Sequence, residues 1–384
     1  MTQRPGPGET KAPSPWLHLV GTGHPPCGVG DFAGQLIEAL RRQGQPQETL
    51  PLEPGRVPLG EIWRAVGNAR AVIANLPLVP WKRALIGPPS AFAIAFLRRR
   101  RRVAILHEWG SMHRLRRLVL RPLLLFADTI VLLSPQVRDE LAADPVIGRL
   151  ARRAVMMPLP PNITRPETTV PSALSARMRA AREGGRLVVG HFGSIYPGKQ
   201  PEAILDIAAT LKARGADPLV VFIGSFIRAS DGIEEIFRAK VAALDLSETV
   251  VVSGYVASPE ELFGLFHEVD AFVYVLPEGL TARRASILAC VQAGRPVIVT
   301  EPVRADEFDH HPRFQALLSG GAIVLAPGGA GPEAYVDLAL AASTRPTLPP
   351  AIDRQVWFAD AAGSLRDALG RGATKLGRCE SWEV

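Results

Sequence analysis

The sequence predicts two mainly parallel α/β domains, and three observations carry that reading. Short apolar runs that read as buried strands alternate with segments of helical periodicity. Several of these runs end in loops of glycine and proline, such as GTGHPPCGVGDF after Trp16–Val20. The alternation breaks once, at the proline-rich Pro158–Pro166 (PLPPNITRP), and then restarts. With 384 residues, each half is large enough for its own core. The expected division is a loose tail over 1–15, a first domain over 16–170, a second over 186–350, and a last helix with its tail over 351–384.

In the first half the strands expected are Trp16–Val20, Ala71–Leu76, Val103–His107 and Thr129–Leu133. Asp31–Arg42 has helical periodicity through Phe32, Leu36, Ile37 and Leu40. Ahead of it, Gly28-Val29-Gly30 can bring backbone N–H groups to an anion, or simply make a tight turn. Ser134-Pro135 reads as the cap and first residue of a helix. Pro171–Gly185 is polar and helix-prone, and it leads into the second half.

There, Arg186–Val189 runs into Gly190–Lys199, and a helix follows over Pro201–Leu211. Leu219–Ile223 and Thr249–Val252 are strands that end at Gly224 and Gly254. Ser258 with Glu261 has capping-box spacing ahead of Pro259–His267. The most informative stretch is Ala271–Thr300 (AFVYVLPEGLTARRASILACVQAGRPVIVT), a strand, a loop, a helix over Ser286–Ala293 stopped by Gly294, and a strand. Ala322–Leu325 is one more strand. Open α/β sheets bind ligands at the carboxyl ends of their strands. Glu278, Arg283 and Arg284 fall at such an end, just before a helix N-terminus. A carboxylate and cations placed there suit a ligand with hydroxyls and phosphates.

Composition narrows the function classes. A hydrophobic content of 47% and a charged content of 21% describe a globular chain. The first fifteen residues lack an apolar signal-peptide core, so the expected location is the cytoplasm. Cys27, Cys290 and Cys379 are too scattered for a disulfide framework or a zinc site. The histidines form no HExxH pattern, and His310–His311 reads as a solvated loop. No metal or cofactor is expected.

The net charge of +7 is concentrated. Between Phe96 and Arg121 lie nine arginines and one acid, Glu108, which leaves the rest of the chain near neutral. One patch, formed by Arg98, Arg99, Arg100, Arg101, Arg102, Arg114, Arg117 and Arg121 with Arg116, argues against a broad nucleic-acid footprint. His113–Phe126 places Arg114, Arg117 and Arg121 on one helical side and Leu115, Val119 and Leu123 on the other. Its arginines and Pro122 exclude a membrane span. Such a helix either lies on an anionic membrane or turns its leucines to the core.

Together these motifs resemble glycosyltransferase family 4, retaining enzymes of the GT-B architecture, from about Trp16 to Leu369. CGVGDF (Cys27–Phe32) is similar to the family's glycine-rich loop beside the donor diphosphate. LHEW (Leu106–Trp109) resembles its histidine-bearing loop. GSIYPGK (Gly193–Lys199) stands where the family has a glycine-arginine loop followed by a lysine, and VSGYV (Val252–Val256) resembles its base-side loop. EG followed by AGRPVIVT matches its donor-sugar loop with the helix and strand behind it.

The chain departs from the family in three ways. Ser194 replaces the loop arginine. The second glutamate, which would hold the ribose, falls at Ser286 counted forward from Glu278, or at Ala289 counted back from Gly294. The loop is longer and carries Arg283-Arg284, like a branch of polysaccharide-building enzymes with an RRxS-like loop.

The resemblance implies two Rossmann-like domains facing across a cleft, with a C-terminal helix over about Val356–Leu369 crossing back to the first. The implied reaction is sugar transfer from a nucleotide-diphosphate donor, with retention, to a lipid-linked or glycan acceptor at the inner face of the cell membrane. Lys199 would neutralise the departing diphosphate, Glu278 would hold the donor sugar, and His107 would face it from the other domain. Gly28, Val29, Gly30, Gly193, Ser194, Arg283, Arg284 and Ser286 would line the donor, with Gly254 and Tyr255 beside its base. The plainer alternatives are that Lys199 is an exposed loop lysine, Glu278 a helix cap and His107 a core histidine. A catalytically silent nucleotide-binding scaffold is the competing reading. A dinucleotide-binding enzyme is weaker, because no GxGxxG with a distal acid follows a strand.

Overall fold

The computed structural model describes residues 14–21, 28–53, 57–78, 86–227, 232–344 and 352–371. Cys27, Cys379 and nearly all of the expected N-terminal tail lie outside them. The chain divides into two compact units, residues 1–157 with 358–384, and residues 158–357.

In the first unit the chain runs β1 (Trp16–Gly21), α1 (Gly28–Arg42), β2 (Gln47–Leu52), α2 (Leu59–Asn68), β3 (Ala71–Leu76), α3 (Gly87–Leu97), β4 (Arg101–Leu106), α4 (Arg114–Phe126), β5 (Thr129–Leu132), α5 (Pro135–Ala142) and β6 (Val155–Met156). The six strands form one sheet in the order β2-β1-β3-β4-β5-β6, with every pair parallel. β3 is buried along its whole length, as its apolar run Ala71–Ala74 requires for a strand covered on both faces, and the one polar residue, Asn75, is buried with it.

The second unit contains α6 (Ala173–Glu183), β7 (Leu187–Phe192), α7 (Pro201–Ala213), β8 (Pro218–Ile223), α8 (Ile233–Ala243), β9 (Val250–Val252), α9 (Pro259–His267), β10 (Ala271–Tyr274), α10 (Ala285–Gln292), β11 (Val297–Thr300), α11 (Pro312–Ser319), β12 (Ile323–Ala326) and α12 (Pro332–Ser343). Its parallel sheet has the order β12-β11-β10-β7-β8-β9. Successive residues alternate between two cores. Leu219, Val221, Phe272 and Tyr274 pack on one face, and Val220, Phe222, Ala271 and Val273 on the other. The order reverses between β7 and β10, which are direct neighbours (Phe272 opposite Gly190). Such a reversal leaves a crevice at the carboxyl ends of the two strands.

The first unit ends earlier than the expected residue 170. Residues 158–170 are held by the second unit, through Gln292 Nε2 donating to Ile163 O at 3.0 Å, His311 Nε2 donating to Leu159 O at 3.0 Å, and Val170 N donating to Glu260 O at 3.2 Å. The last helix, α13 (Arg354–Arg371), starts in the second unit, and from Phe358 on it belongs to the first. There Phe358 meets Phe32, and Gln43 Nε2 donates to Ala359 O at 3.0 Å.

His311 corrects the expectation of a solvated loop. It is 1% exposed because it caps α11, with Nδ1 accepting from Phe314 N at 3.3 Å while Nε2 reaches Leu159.

Candidate functional site at the strand reversal of the second unit

Two loops flank the reversal, one after β7 and one after β10. The first turns at Gly193, whose φ of +121° favours glycine. A Cβ there would stand 2.2 Å from Lys199 Nζ, so the glycine leaves the space the ammonium occupies. Gly224, with φ +153°, lets the neighbouring loop approach, since its Cβ would strike Gly193 O at 2.2 Å. Lys199 closes a 3-10 turn (Pro197–Lys199) and folds back to within 3.5 Å of Phe192 O. It is 8% exposed, so it is not a solvated loop lysine. Burial, then the nearby Arg284 charge, lowers its pKa to about 8. Ser194 is exposed.

The second loop is fixed by β11 and the segment after it. Thr300 Oγ1 accepts from Leu276 N at 2.9 Å, Thr300 O from Leu280 N at 3.0 Å, and Glu307 Oε1 from Ala282 N at 2.8 Å. Gly279, with φ +69°, passes so close to Glu301 O that a Cβ would lie 2.3 Å from it. At the loop's end Arg284 occupies the N-cap position of α10 without a side-chain cap, and the N–H groups of Ala285 and Ile287 are met by the backbone, donating to Arg283 O and Arg284 O at 3.1 Å each. Arg284 forms an ion pair with Glu278. Glu278 is therefore the partner of a guanidinium rather than a helix cap. Arg283 Nε and Thr281 Oγ1 are buried atoms without a hydrogen-bond partner.

Below the loops, Tyr274 donates its hydroxyl to Phe192 O at 2.9 Å and lies 3.2 Å from Cys290 Sγ. Ser286 hydrogen-bonds to the same hydroxyl. Burial pushes Tyr274 well above its ordinary pKa and Cys290 up to about 12, so neither ionises near neutrality. His191 is 1% exposed, with Nδ1–H donating to Val273 O at 3.0 Å and Nε2 unpartnered. Burial and the Lys199 charge lower it to about 3. Tyr274, Cys290 and His191 were not legible as site residues, because each sits inside an apolar strand or helix run. Gly254 (φ +76°) and Tyr255, 79% exposed, follow β9, two strands away from β7.

The remaining expected site residues lie in the first unit. Gly28, Val29 and Gly30 form the first turn of α1. His107 follows β4, half-buried, with Nε2–H donating to Asn75 Oδ1 at 3.3 Å and its ring edge-on to Phe32 at 4.9 Å. Burial lowers it to about 3, so it is a neutral imidazole at physiological pH.

The arginine patch is not one surface. Arg102 leaves it, being 8% exposed, paired with Asp128 and donating to Phe126 O and to Arg100 O at 2.8 Å. Arg121 is tied to Asp144 at 3.1 Å, Arg100 donates to Gly67 O at 2.5 Å, and Arg98 stacks on Trp63 at 4.1 Å. Arg99 and Arg114 are exposed, and Arg101 and Arg117 half-exposed. The apolar side of α4 is also rotated from the expected one. Leu120, Leu123 and Leu124 are buried, whereas Leu115 is 66% exposed, Leu118 55% and Leu125 47%. No helix among the described residues is long and apolar enough to cross a membrane.

No protein-family model matches the chain, and no curated protein matches it. Solved structures do resemble it. Anabaena HepE, crystallised with UDP, superposes with a TM-score of 0.62 at 15% identity over 95% of this chain and 100% of that one. A glycosyltransferase from Rickettsia africae gives 0.58 at 11% identity over 94% and 98%. A putative UDP-N-acetylglucosamine 2-epimerase from Listeria monocytogenes gives 0.51 at 12% over 97% and 100%. The likeness is one of fold, two Rossmann-like α/β units of the GT-B type.

Proposed function

We propose that the chain is a glycosyltransferase that takes a sugar from a nucleoside-diphosphate donor, with retention, and passes it to a lipid-linked or glycan acceptor at an anionic membrane surface. One observation carries the reading: two cations that feel each other's charge, Lys199 beside Gly193 and Arg284 at the N-terminus of α10, flank the strand reversal. A departing diphosphate needs its charge stabilised, and fixed cations with backbone N–H groups supply that. Glu278, freed from Arg284, accepts hydrogen bonds from the sugar hydroxyls and positions the donor. The solved HepE complexes with UDP and UDP-glucose make uridine donors the first to try.

The test is release of nucleoside diphosphate from a panel of sugar nucleotides, with Lys199→Met as the control. Release that is lost in the variant supports transfer. A thermal shift with nucleotide but no release from any donor favours the silent scaffold, for which Ser194 and the Glu278–Arg284 pair speak. Neither release nor shift would sink both readings.

A further inference from the structure

A cavity of about 500 Å3 lies in the first unit, lined by Leu125, Ala127, Arg149, Leu150, Arg152 and Arg153. It belongs to no site described above. Ala127 stands just ahead of β5 and Arg153 just ahead of β6, so the cavity opens at the amino ends of the strands. Ligands of open α/β sheets bind at the opposite ends. Its three arginines are exposed, and none makes a hydrogen bond or ion pair among the described residues. The two carboxylates nearest in sequence are already taken, Asp128 by Arg102 and Asp144 by Arg121. Three uncompensated guanidinium groups around one hollow call for an anion, and the guanidinium fork suits phosphate.

The walls decide what kind of phosphate. Leu125, Ala127 and Leu150 are apolar, which suits an amphiphile rather than a free ion. The rim is apolar too. Phe126, beside Leu125, lies 5.5 Å from Phe96, and Phe96 is 52% exposed and Leu97 70%. Along α4, Leu115, Leu118, Pro122 and Leu125 recur at three- and four-residue steps, so they form one exposed stripe that ends at the cavity. From Leu115 to Leu125 that stripe is about 16 Å long at 1.5 Å per residue. A helix with an exposed apolar stripe flanked by arginines lies flat in a membrane interface.

We infer that this cavity binds the phosphate headgroup of an anionic phospholipid while the α4 stripe rests among the lipids beside it. The inference rests on the membrane placement proposed above and is independent of the donor site.

The test is flotation with vesicles of phosphatidylcholine alone or with phosphatidylglycerol added. The parent protein is compared with Arg149→Gln/Arg152→Gln/Arg153→Gln, with Arg152→Glu alone, and with a charge-matched control, Arg64→Gln/Arg70→Gln/Arg177→Gln. At roughly 1 kcal/mol per basic residue near such a surface, removing all three cavity arginines lowers vesicle affinity by about a hundredfold at 1.4 kcal/mol per tenfold. The control, none of whose arginines lines the cavity, loses much less. Parent binding that depends on phosphatidylglycerol and falls in both cavity variants, with melting temperatures unchanged, supports the inference. Equal losses in cavity and control variants, or none in either, overturn the cavity and leave the membrane placement standing. A parent that ignores phosphatidylglycerol overturns both. Inorganic phosphate that competes at vesicle-equivalent concentrations overturns the lipid assignment.

Discussion

Arg284 is shared between two charges: it is paired with Glu278, and its field helps to hold the Lys199 ammonium down at a pKa of about 8. Burial and the Arg284 charge both weigh on the ammonium, while the Glu278 carboxylate is paired with Arg284. That arrangement is costly without a ligand and is relieved by a diphosphate.

Replacing Lys199 with Met should therefore stabilise the ligand-free protein while ending nucleotide binding. The folded pKa lies below the value of 10.5 that applies when the chain is unfolded. Charged Lys199 thus destabilises the fold by roughly 3 kcal/mol at neutral pH. Between about pH 8 and 10.5 the unfolded state binds more protons, so parent stability gains on the variant as pH rises through that window. Urea unfolding of both proteins at pH 7, 8.5 and 10 checks the sign. A variant less stable than the parent at pH 7 would show that the ammonium is not strained.

Arg284→Ala should weaken nucleoside-diphosphate binding by about tenfold or more, the loss of a charge-assisted contact worth roughly 1.5–3 kcal/mol. Glu278→Gln frees Arg284 from its carboxylate. It should bind the bare diphosphate at least as tightly as the parent, yet turn over sugar nucleotide poorly. Calorimetry on these variants and on Arg283→Ala ranks the contributions. If both arginine variants match the parent, neither guanidinium holds the phosphate.

Acid should unfold the protein through two buried neutral histidines. His18 is 0% exposed and lowered to about 4 by burial despite its bond to Gln47, and His191 is lowered to about 3. Their contribution is intact above pH 6.5 and is lost as pH falls toward those values, because the unfolded chain takes up the protons. At pH 5 each loss is roughly 2 kcal/mol. Denaturation midpoints across pH 4–8 test this. His18→Gln should flatten the acid limb by about one proton.

Much of the fold was legible because parallel strands covered on both faces leave apolar runs, such as Ala71–Ala74 and Leu219–Ile223. β2, QETLPL, lacks such a run because it is an edge strand with exposed positions. The two-residue β6 is too short to show a period. In the site, Gly193, Lys199 and Glu278 stand out because glycines and charges interrupt apolar runs. That α4 faces outward was hidden. Its leucines circle the whole helix, so only packing decides which of them, Leu120 and Leu124 or Leu115 and Leu118, go inside.

The last prediction concerns His311, a residue that ties two distant stretches of chain to one point. Its Nε2–H donates to Leu159 O at 3.0 Å, one residue past the start of the second unit, and its ring lies 5.0 Å from Trp357, the last residue of that unit. Its Nδ1 meanwhile caps α11. Arg354 reinforces the same point by reaching Pro161 O and Asn162 O at 3.3 Å each. Ala at 311 removes both ring hydrogen bonds and leaves the buried Leu159 carbonyl without a partner. An unmet buried group costs about 1–3 kcal/mol and a lost cap about 1 kcal/mol. His311→Ala should therefore lose roughly 2–4 kcal/mol in urea unfolding, the sum of those two ranges. His311→Asn keeps a capping oxygen but cannot reach Leu159, so it should recover only the cap. Limited proteolysis should find new cleavage in 158–165 in both variants. Asn restoring full stability and protection would show that the histidine serves only its own helix.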